Sequence, residues 1–299
     1  MSVFFAIVCG LSYGLNNIWT NRVPSELSGK LVFYRSFLVF LINVILTFVL
    51  WKFLPTIFPI NFDLVAIAQN ILLASFLFIG LVFLFKGLEA GPVSIVGSLT
   101  GSTGIISAFL ASFVYGESLS SVRILGIILG ILCLFLVSVD FKNIKSIFAK
   151  TSGIKYGLIT FFIFGVGFTF TKPLITTLGP VFFSAIVEMT NSVLAIVYLY
   201  FTNQNIFEHN GKTKLKVPIL MYQKHFRYLL ISAGLIVVAG LSQSFALTFG
   251  GVSIIEPIIR STLAFFTIIM SVMFLKEKLR WLEIVGLIGL VASLIMIGL

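Results

Sequence analysis

The sequence predicts an all-α integral membrane protein, with ten transmembrane helices arranged as two inverted five-helix repeats. Three observations carry that prediction. The 299 residues are 59% hydrophobic and only 10% charged, with a mean hydropathy of +1.15, whereas roughly a quarter of a soluble protein is charged. The apolar residues fall into ten runs of about the length that crosses a bilayer as a helix. The second half of the chain repeats landmarks of the first at a near-constant offset.

Composition removes the main alternatives. With 25 Gly and 8 Pro, the chain is neither collagen-like nor a low-complexity linker. Cys9 and Cys133 both lie inside apolar runs and read as small buried hydrophobes, with no redox or metal role. A net charge of +10 would suit nucleic acid in a soluble chain; in a membrane chain it reports topology instead, because Lys and Arg are retained on the cytoplasmic side. No nucleic-acid partner is expected.

The ten runs are 2–20, 31–51, 64–86, 93–115, 122–139, 153–171, 180–202, 228–249, 252–275 and 281–298. Tight turns such as 87–92 separate most of them. The exception is 203–227, a polar, Lys-rich loop containing Glu208, His209 and His225. The first run has no basic residue before Arg22 and no small-x-small cleavage site after its apolar core, so it is expected to be a permanent helix and not a removable signal. Short alternating segments, the mark of a lipid-facing barrel, are not evident.

The duplication is legible in "KGLEAGPVSIV … YGESLSSVRILGIILG" against "LTFGGVSIIEP … LKEKLRWLEIVGLIG". Glu117 aligns with Glu277 and Gly126 with Gly286, each 160 positions apart, and Ala90-Gly91 aligns with Gly250-Gly251. Tyr13-Gly14 matches Phe164-Gly165 more weakly, as Gly29-Lys30 does Gly179-Pro180. The units are expected at 1–140 and 153–299, with the seam at 140–152. Five crossings carry a chain from one face to the other, so consecutive copies must lie upside down relative to each other. Inverted repeats of this kind recur in transporters, with substrate held near the midplane between the halves.

The pattern resembles the drug/metabolite transporter superfamily, in its ten-helix EamA-type branch. The resemblance rests on the Gly-centred first helix of each half ("GLSYGLNNIW" and "FFIFGVGFTFTK"), on Arg35 in "VFYRSF", and on the endings "GE-loop-GIILG" and "KEKLRWLEIVGLIG". It covers nearly the whole chain. The second half departs from it, with Ala185 where the first has Arg35. The resemblance implies export or exchange of small metabolites, amino acids or drugs across the cell membrane (a bacterial inner membrane), without ATP hydrolysis and without a cofactor. Coupling to protons or to a counter-substrate goes with such a role.

Of the 20 basic residues, fifteen fall in the odd-numbered connections; only Lys52, Arg123 and Lys172 fall in the even ones, and Arg35 and Arg260 lie within spans. The positive-inside rule makes the fifteen-residue side cytoplasmic and turns both termini outward. Members of the resembled family are commonly drawn with both termini inside.

Ionisable groups within spans are costly and are functional candidates by default. Glu256 and Arg260 share a helix face at i and i+4. They form either a structural ion pair or a pair that lines a cavity, with Pro257 freeing a carbonyl toward it. Glu188 is a mid-span carboxylate followed by Asn191, a candidate for proton coupling. Arg35 either snorkels to the nearer interface or pairs with Glu188 across the pseudo-twofold axis. Asn43, Gln69 and Asn70 are expected to hold helices together, Asn16 and Asn17 to line a cavity with Tyr13 and Trp19, and Gln243 to orient substrate. The expected substrate-binding set is Asn16, Asn17, Arg35, Glu188, Asn191, Gln243, Glu256 and Arg260, with no metal ligands. Small residues at Gly10/Gly14, Gly97/Gly101 and Gly126/Gly130 predict close helix packing, and "GSLTGSTG" (97–104) either packs on the first and ninth spans or lines the cavity.

Enzyme classes find no support: both histidines lie in the 203–227 loop, no paired aspartates occupy spans, and no phosphate-cradling glycine loop is present. The competing reading is a channel or a lipid flippase or scramblase, which saturable counter-transport separates from a carrier.

Overall fold

The computed structural model describes residues 1–21, 28–54, 60–138, 153–202, 207–209, 216–218, 223–279 and 281–298. The first repeat comprises α1 (Ser2–Asn21), α2 (Ser28–Phe53), α3 (Leu64–Ala90), α4 (Val93–Gly101), α5 (Thr103–Val114) and α6 (Ser121–Ser138). The second comprises α7 (Gly153–Thr169), α8 (Thr171–Leu178), α9 (Pro180–Phe201), α10 (Gln223–Phe249), α11 (Val252–Met270) with a π-helical extension at Ser271–Leu275, and α12 (Trp281–Gly298). Two three-residue strands, β1 (Phe207–His209) and β2 (Lys216–Pro218), form a small antiparallel pair within the polar loop. The all-α expectation omits these strands, which lie outside every span.

Among the described residues, eight helical stretches are long and apolar enough to cross a bilayer, and α7 with α8, bent by 43°, makes a ninth where the pair is counted as one span. The remaining expected run, the fifth (122–139), corresponds to α6, whose described apolar stretch, Ser121–Cys133, is shorter than a crossing requires. The fourth run divides at Ser102 into α4 and α5, and the sixth continues past its expected end to Leu178. The seam at 140–152 and Arg22, Lys142, Lys145, Lys150, Lys212, Lys214 and Arg280 lie outside the described residues.

Local chemistry sets the boundaries. Asp63 caps α3, its carboxylate accepting from the amides of Val65 and Ala66 at 2.9 and 3.2 Å. Gly179, at φ 87°, takes a backbone conformation that other residues rarely adopt, and it separates α8 from α9. Pro180 then occupies the first turn of α9, where no amide donor is needed.

The packing shows the inversion directly. Along the fourth and ninth spans, Gly97 faces Thr267, Gly101 faces Ala264, and Gly104 faces Pro257, so these equivalent helices run antiparallel. Along α6 and α12, Gly126 meets Ile297, Gly130 meets Ser293 and Cys133 meets Gly289, again antiparallel. The first helix of each repeat packs instead on the other repeat's fourth span. Gly10 and Gly14 lie against 259–263 and 263–267 of α11, while Gly157 and Gly165 lie against Leu99 and Ile106.

The two repeats also cap each other's helices. Glu277, beyond the ninth span, accepts from the amides of Val93 and Ser94 at the start of α4, at 2.6 and 3.0 Å. Glu117, beyond the fourth span, accepts from the amides of Val252 and Ser253 at the start of α11, at 3.1 and 2.9 Å, and from the Ser253 hydroxyl. Each carboxylate satisfies first-turn amides that have no helical partner and sits at the positive end of the helix dipole.

Close backbone approach makes a size prediction. Replacing Gly10 with Leu should force α1 off the Ile259–Leu263 stretch of α11 and cost about 1–3 kcal/mol, the usual range for overpacking. Gly234→Ala, where an added Cβ meets nothing within 4 Å inside α10, should not destabilise the protein and should raise its stability by up to about 1 kcal/mol. Thermal unfolding of the detergent-solubilised protein reads both outcomes.

Candidate functional site

Two adjoining chambers lie between the repeats. The first, about 130 Å³, is lined by Asn16, Asn17, Thr20, Arg35, Asn191 and Arg260, among others. The second, about 70 Å³, is lined by Thr171, Ser184, Gln243 and Ser244, among others. Tyr13, Leu77, Phe168, Val187, Glu188 and Ile236 border both, forming a waist. Because α1 and α3 end beyond the first chamber, near Asn21 and Ala90, and α8 and α10 end beyond the second, near Leu178 and Phe249, the chambers lie toward opposite membrane faces.

Seven of the eight residues singled out from the sequence line these chambers. Glu256 is the exception: it is fully buried behind the wall and holds others in place. Its Oε1 accepts from Gln243 Nε2 at 2.7 Å, and its Oε2 accepts from Arg260 Nε at 3.0 Å, with Arg260 Nη2 at 2.9 Å completing an ion pair. Tyr13 donates its hydroxyl to Gln243 Oε1 at 3.1 Å. The Arg260 guanidinium lies 4.0 Å above the Phe168 ring and 5.7 Å from the Tyr13 ring centre, a geometry in which the positive charge meets the negative faces of both rings. Pro257 and the Ser253 carbonyl it frees line neither chamber, contrary to the expectation of a carbonyl exposed to the cavity; that carbonyl belongs to the α11 turn capped by Glu117.

Arg35 does not snorkel. It is 3% exposed, lies 5.5 Å from the Phe85 ring centre, and is an electrostatic neighbour of Glu188 across the repeat boundary. The side chains of Ser36 and Asn191 adjoin the same carboxylate. Around the first chamber, several buried polar atoms have no hydrogen-bond partner among the described residues: Glu188 Oε2, Asn191 Oδ1, Arg35 Nε and Thr20 Oγ1. Buried groups left in that state cost about 1–3 kcal/mol each.

The remaining amides divide by role. Asn16 Oδ1 accepts from Ser232 at 2.7 Å, and Asn17 reaches Thr267 at 3.5 Å, both at the cavity wall. Asn43 donates to Ser184 at 2.9 Å and Asn70 to the Phe183 carbonyl at 3.1 Å, holding helices together as expected. Gln69 is exposed. Trp19 packs on Tyr228 and lines neither chamber. In "GSLTGSTG" the glycines pack on α11 while Thr100 lines the first chamber, so both expectations hold for different residues. Sequence reasoning missed Phe168, although the 151-residue offset of Tyr13 to Phe164 makes it the counterpart of Asn17.

Helices of this length and polarity, in two copies inverted about a buried polar cavity, define a multi-pass membrane protein of transporter architecture. The sequence pattern of the EamA-like transporter family matches residues 1–139 and 151–299. The chain belongs to that family and is therefore a membrane transporter of the drug/metabolite type, with a small-molecule substrate. An uncharacterized protein of Methanocaldococcus jannaschii is 28% identical over 143 residues, which make up 48% of this chain and 93% of that protein; that relative is thus little longer than a single repeat. A crystal structure described only as that of a protein shares the fold, with a TM-score of 0.61 at 14% identity over 99% of this chain and 95% of that one.

The Gln243 bridge gives a further expectation. Gln243→Leu removes the donor to Glu256 and the acceptor for Tyr13, and should lower stability by about 1–3 kcal/mol through the buried carboxylate oxygen it strands. In Glu256→Gln the same Gln243 substitution should cost less, which a double-mutant cycle of unfolding midpoints measures.

Proposed function

We propose that the protein is a secondary transporter, moving a small organic molecule by alternating access between its two inverted repeats without hydrolysing ATP. The observation that carries this reading is the first chamber, walled by both repeats and lined with unsatisfied buried atoms of opposite character. Arg35 Nε is a donor, Glu188 Oε2 and Asn191 Oδ1 are acceptors, and a polar molecule carrying both kinds of group satisfies them at once. In this reading Arg35 and Arg260 face the substrate's electron-rich end. Glu188 and Asn191 face its donor end, and Asn16, Asn17 and Gln243 orient it. Glu256 acts through Arg260 and Gln243.

Glu188 is the natural coupling group, since a proton or a substrate cation can each relieve its unsatisfied oxygen. The basic bias supports an orientation with the odd-numbered connections in the cytoplasm, in a cell carrying the protein in its cell membrane. Two experiments test the proposal. Ligands found by thermal stabilisation of the purified protein against metabolite pools should show saturable counterflow in proteoliposomes; unsaturable flux would indicate a channel or scramblase. Glu188→Gln should fold normally yet reduce proton-driven uptake by about tenfold, within the usual range of coupling energies. Full-rate uptake with unchanged pH dependence would end the coupling role.

A further inference from the structure

Among the described residues, each repeat has one side-chain bond that ties its first helix to the end of its third. In the first repeat, Asn21 Nδ2 donates to the Leu88 carbonyl at 2.8 Å. In the second, Lys172 Nζ donates to the Gly250 carbonyl, just beyond α10, at 2.9 Å. The two donors are 151 positions apart, the offset that relates Tyr13-Gly14 to Phe164-Gly165, so they are equivalent positions carrying different chemistry. Their acceptors occupy comparable places too, in the last turn of α3 and just past α10, beside the matched pairs Ala90-Gly91 and Gly250-Gly251.

Both bonds stand at the outer rim of a chamber. Thr20 and Leu88, flanking the first bond, line the first chamber, and Thr171, flanking the second, lines the second. We propose that Asn21 and Lys172 are the gate latches of the transport cycle, one at each membrane face, whose release parts the first helix from the third and opens the adjoining chamber. The proposal rests on the alternating-access reading above.

Strength and placement distinguish these bonds from the glutamate caps. The caps bind opposite repeats together through two or more charge-assisted hydrogen bonds each, and both are formed in this single conformation. Each latch is a single hydrogen bond within one repeat at a half-buried site, from a neutral amide at Asn21 and from an ammonium at Lys172, against two or more bonds at each cap, and in this proposal is the contact that yields first. The fourth and ninth spans, clasped at both ends and packed glycine to side chain, then serve as the fixed axis about which the latched helices move.

Solvent access tests the latches without reference to substrate. On a Cys9→Ala, Cys133→Ala background, Thr100→Cys reports the first chamber and Ser244→Cys the second, using a membrane-impermeant maleimide added to one face at a time. Asn21→Ala should raise labelling at position 100 from its own face by about fivefold, the effect of losing one modest hydrogen bond from a closed state. It should leave position 244 unchanged. Lys172→Ala should do the reverse from the opposite face, and Lys172→Arg, which keeps a donor, should label like the parent. If both alanine variants label like the parent while counterflow in the parent is intact, the latches are wrong and the transport reading stands. The latches are equally excluded if both variants open the same chamber. If the parent shows no saturable counterflow, the transport reading falls and the latches fall with it.

Discussion

A helix that begins at a membrane face presents amide hydrogens with nothing to bond inside its own chain, and hydrocarbon will not supply acceptors. This protein solves the problem across its duplication. Each repeat ends its fourth span with a glutamate that satisfies the start of the other repeat's fourth span. The bonds can form only if equivalent helices run in opposite directions, with the end of one beside the start of the other. Inversion, close glycine packing along the same helices and the positions of Glu117 and Glu277 are therefore one arrangement, and the cavity exists because the remaining helices are arrayed around this clasped pair.

Around that axis, the buried charges are balanced locally. Glu256 meets both Arg260 and Gln243, and Arg35 lies in the field of Glu188. The distribution is uneven, however: Glu256 has a partner on each oxygen, whereas Glu188 keeps one oxygen unsatisfied. An ion pair with full complements rigidifies a wall, while a half-satisfied carboxylate responds to whatever enters. In the proposed cycle the two glutamates thus divide between scaffold and response, although both sit in the interior of an apolar span.

Much of this was legible in the sequence because bilayers impose coarse and strict rules. The helical runs, the duplicated landmarks and the burial of Glu188 and Arg260 follow from hydropathy, internal offset and the cost of a charge in lipid, whereas Arg35, open between snorkelling and pairing in the sequence, is decided only by the fold. What could not be read was anything decided by a partner on another helix. Glu117 and Glu277 align at the repeat offset, yet nothing near them in sequence names the amides they cap, 135 and 184 residues away. Phe168 is one of 33 phenylalanines, and only the fold sets its ring under Arg260. The break at Ser102 was hidden too, since no proline marks it; the bend at Phe170 did carry a signal, Pro173, which lacks the amide that would bond the Thr169 carbonyl.

The stacking of Arg260 on Phe168 and Tyr13 bears on leakiness. A carrier that lets small ions slip through dissipates the gradients its cell maintains. Beside the waist, in the first chamber, the Arg260 guanidinium is held against the rings of Phe168 and Tyr13, which border both chambers, and is backed by Glu256. The Glu256 carboxylate offsets this guanidinium at 2.9 Å, and Glu188 borders the waist, so what opposes a lone sodium or hydronium ion there is the aromatic and apolar lining and not a net positive charge. Resistance to ion slip thereby falls to the rings that border both chambers.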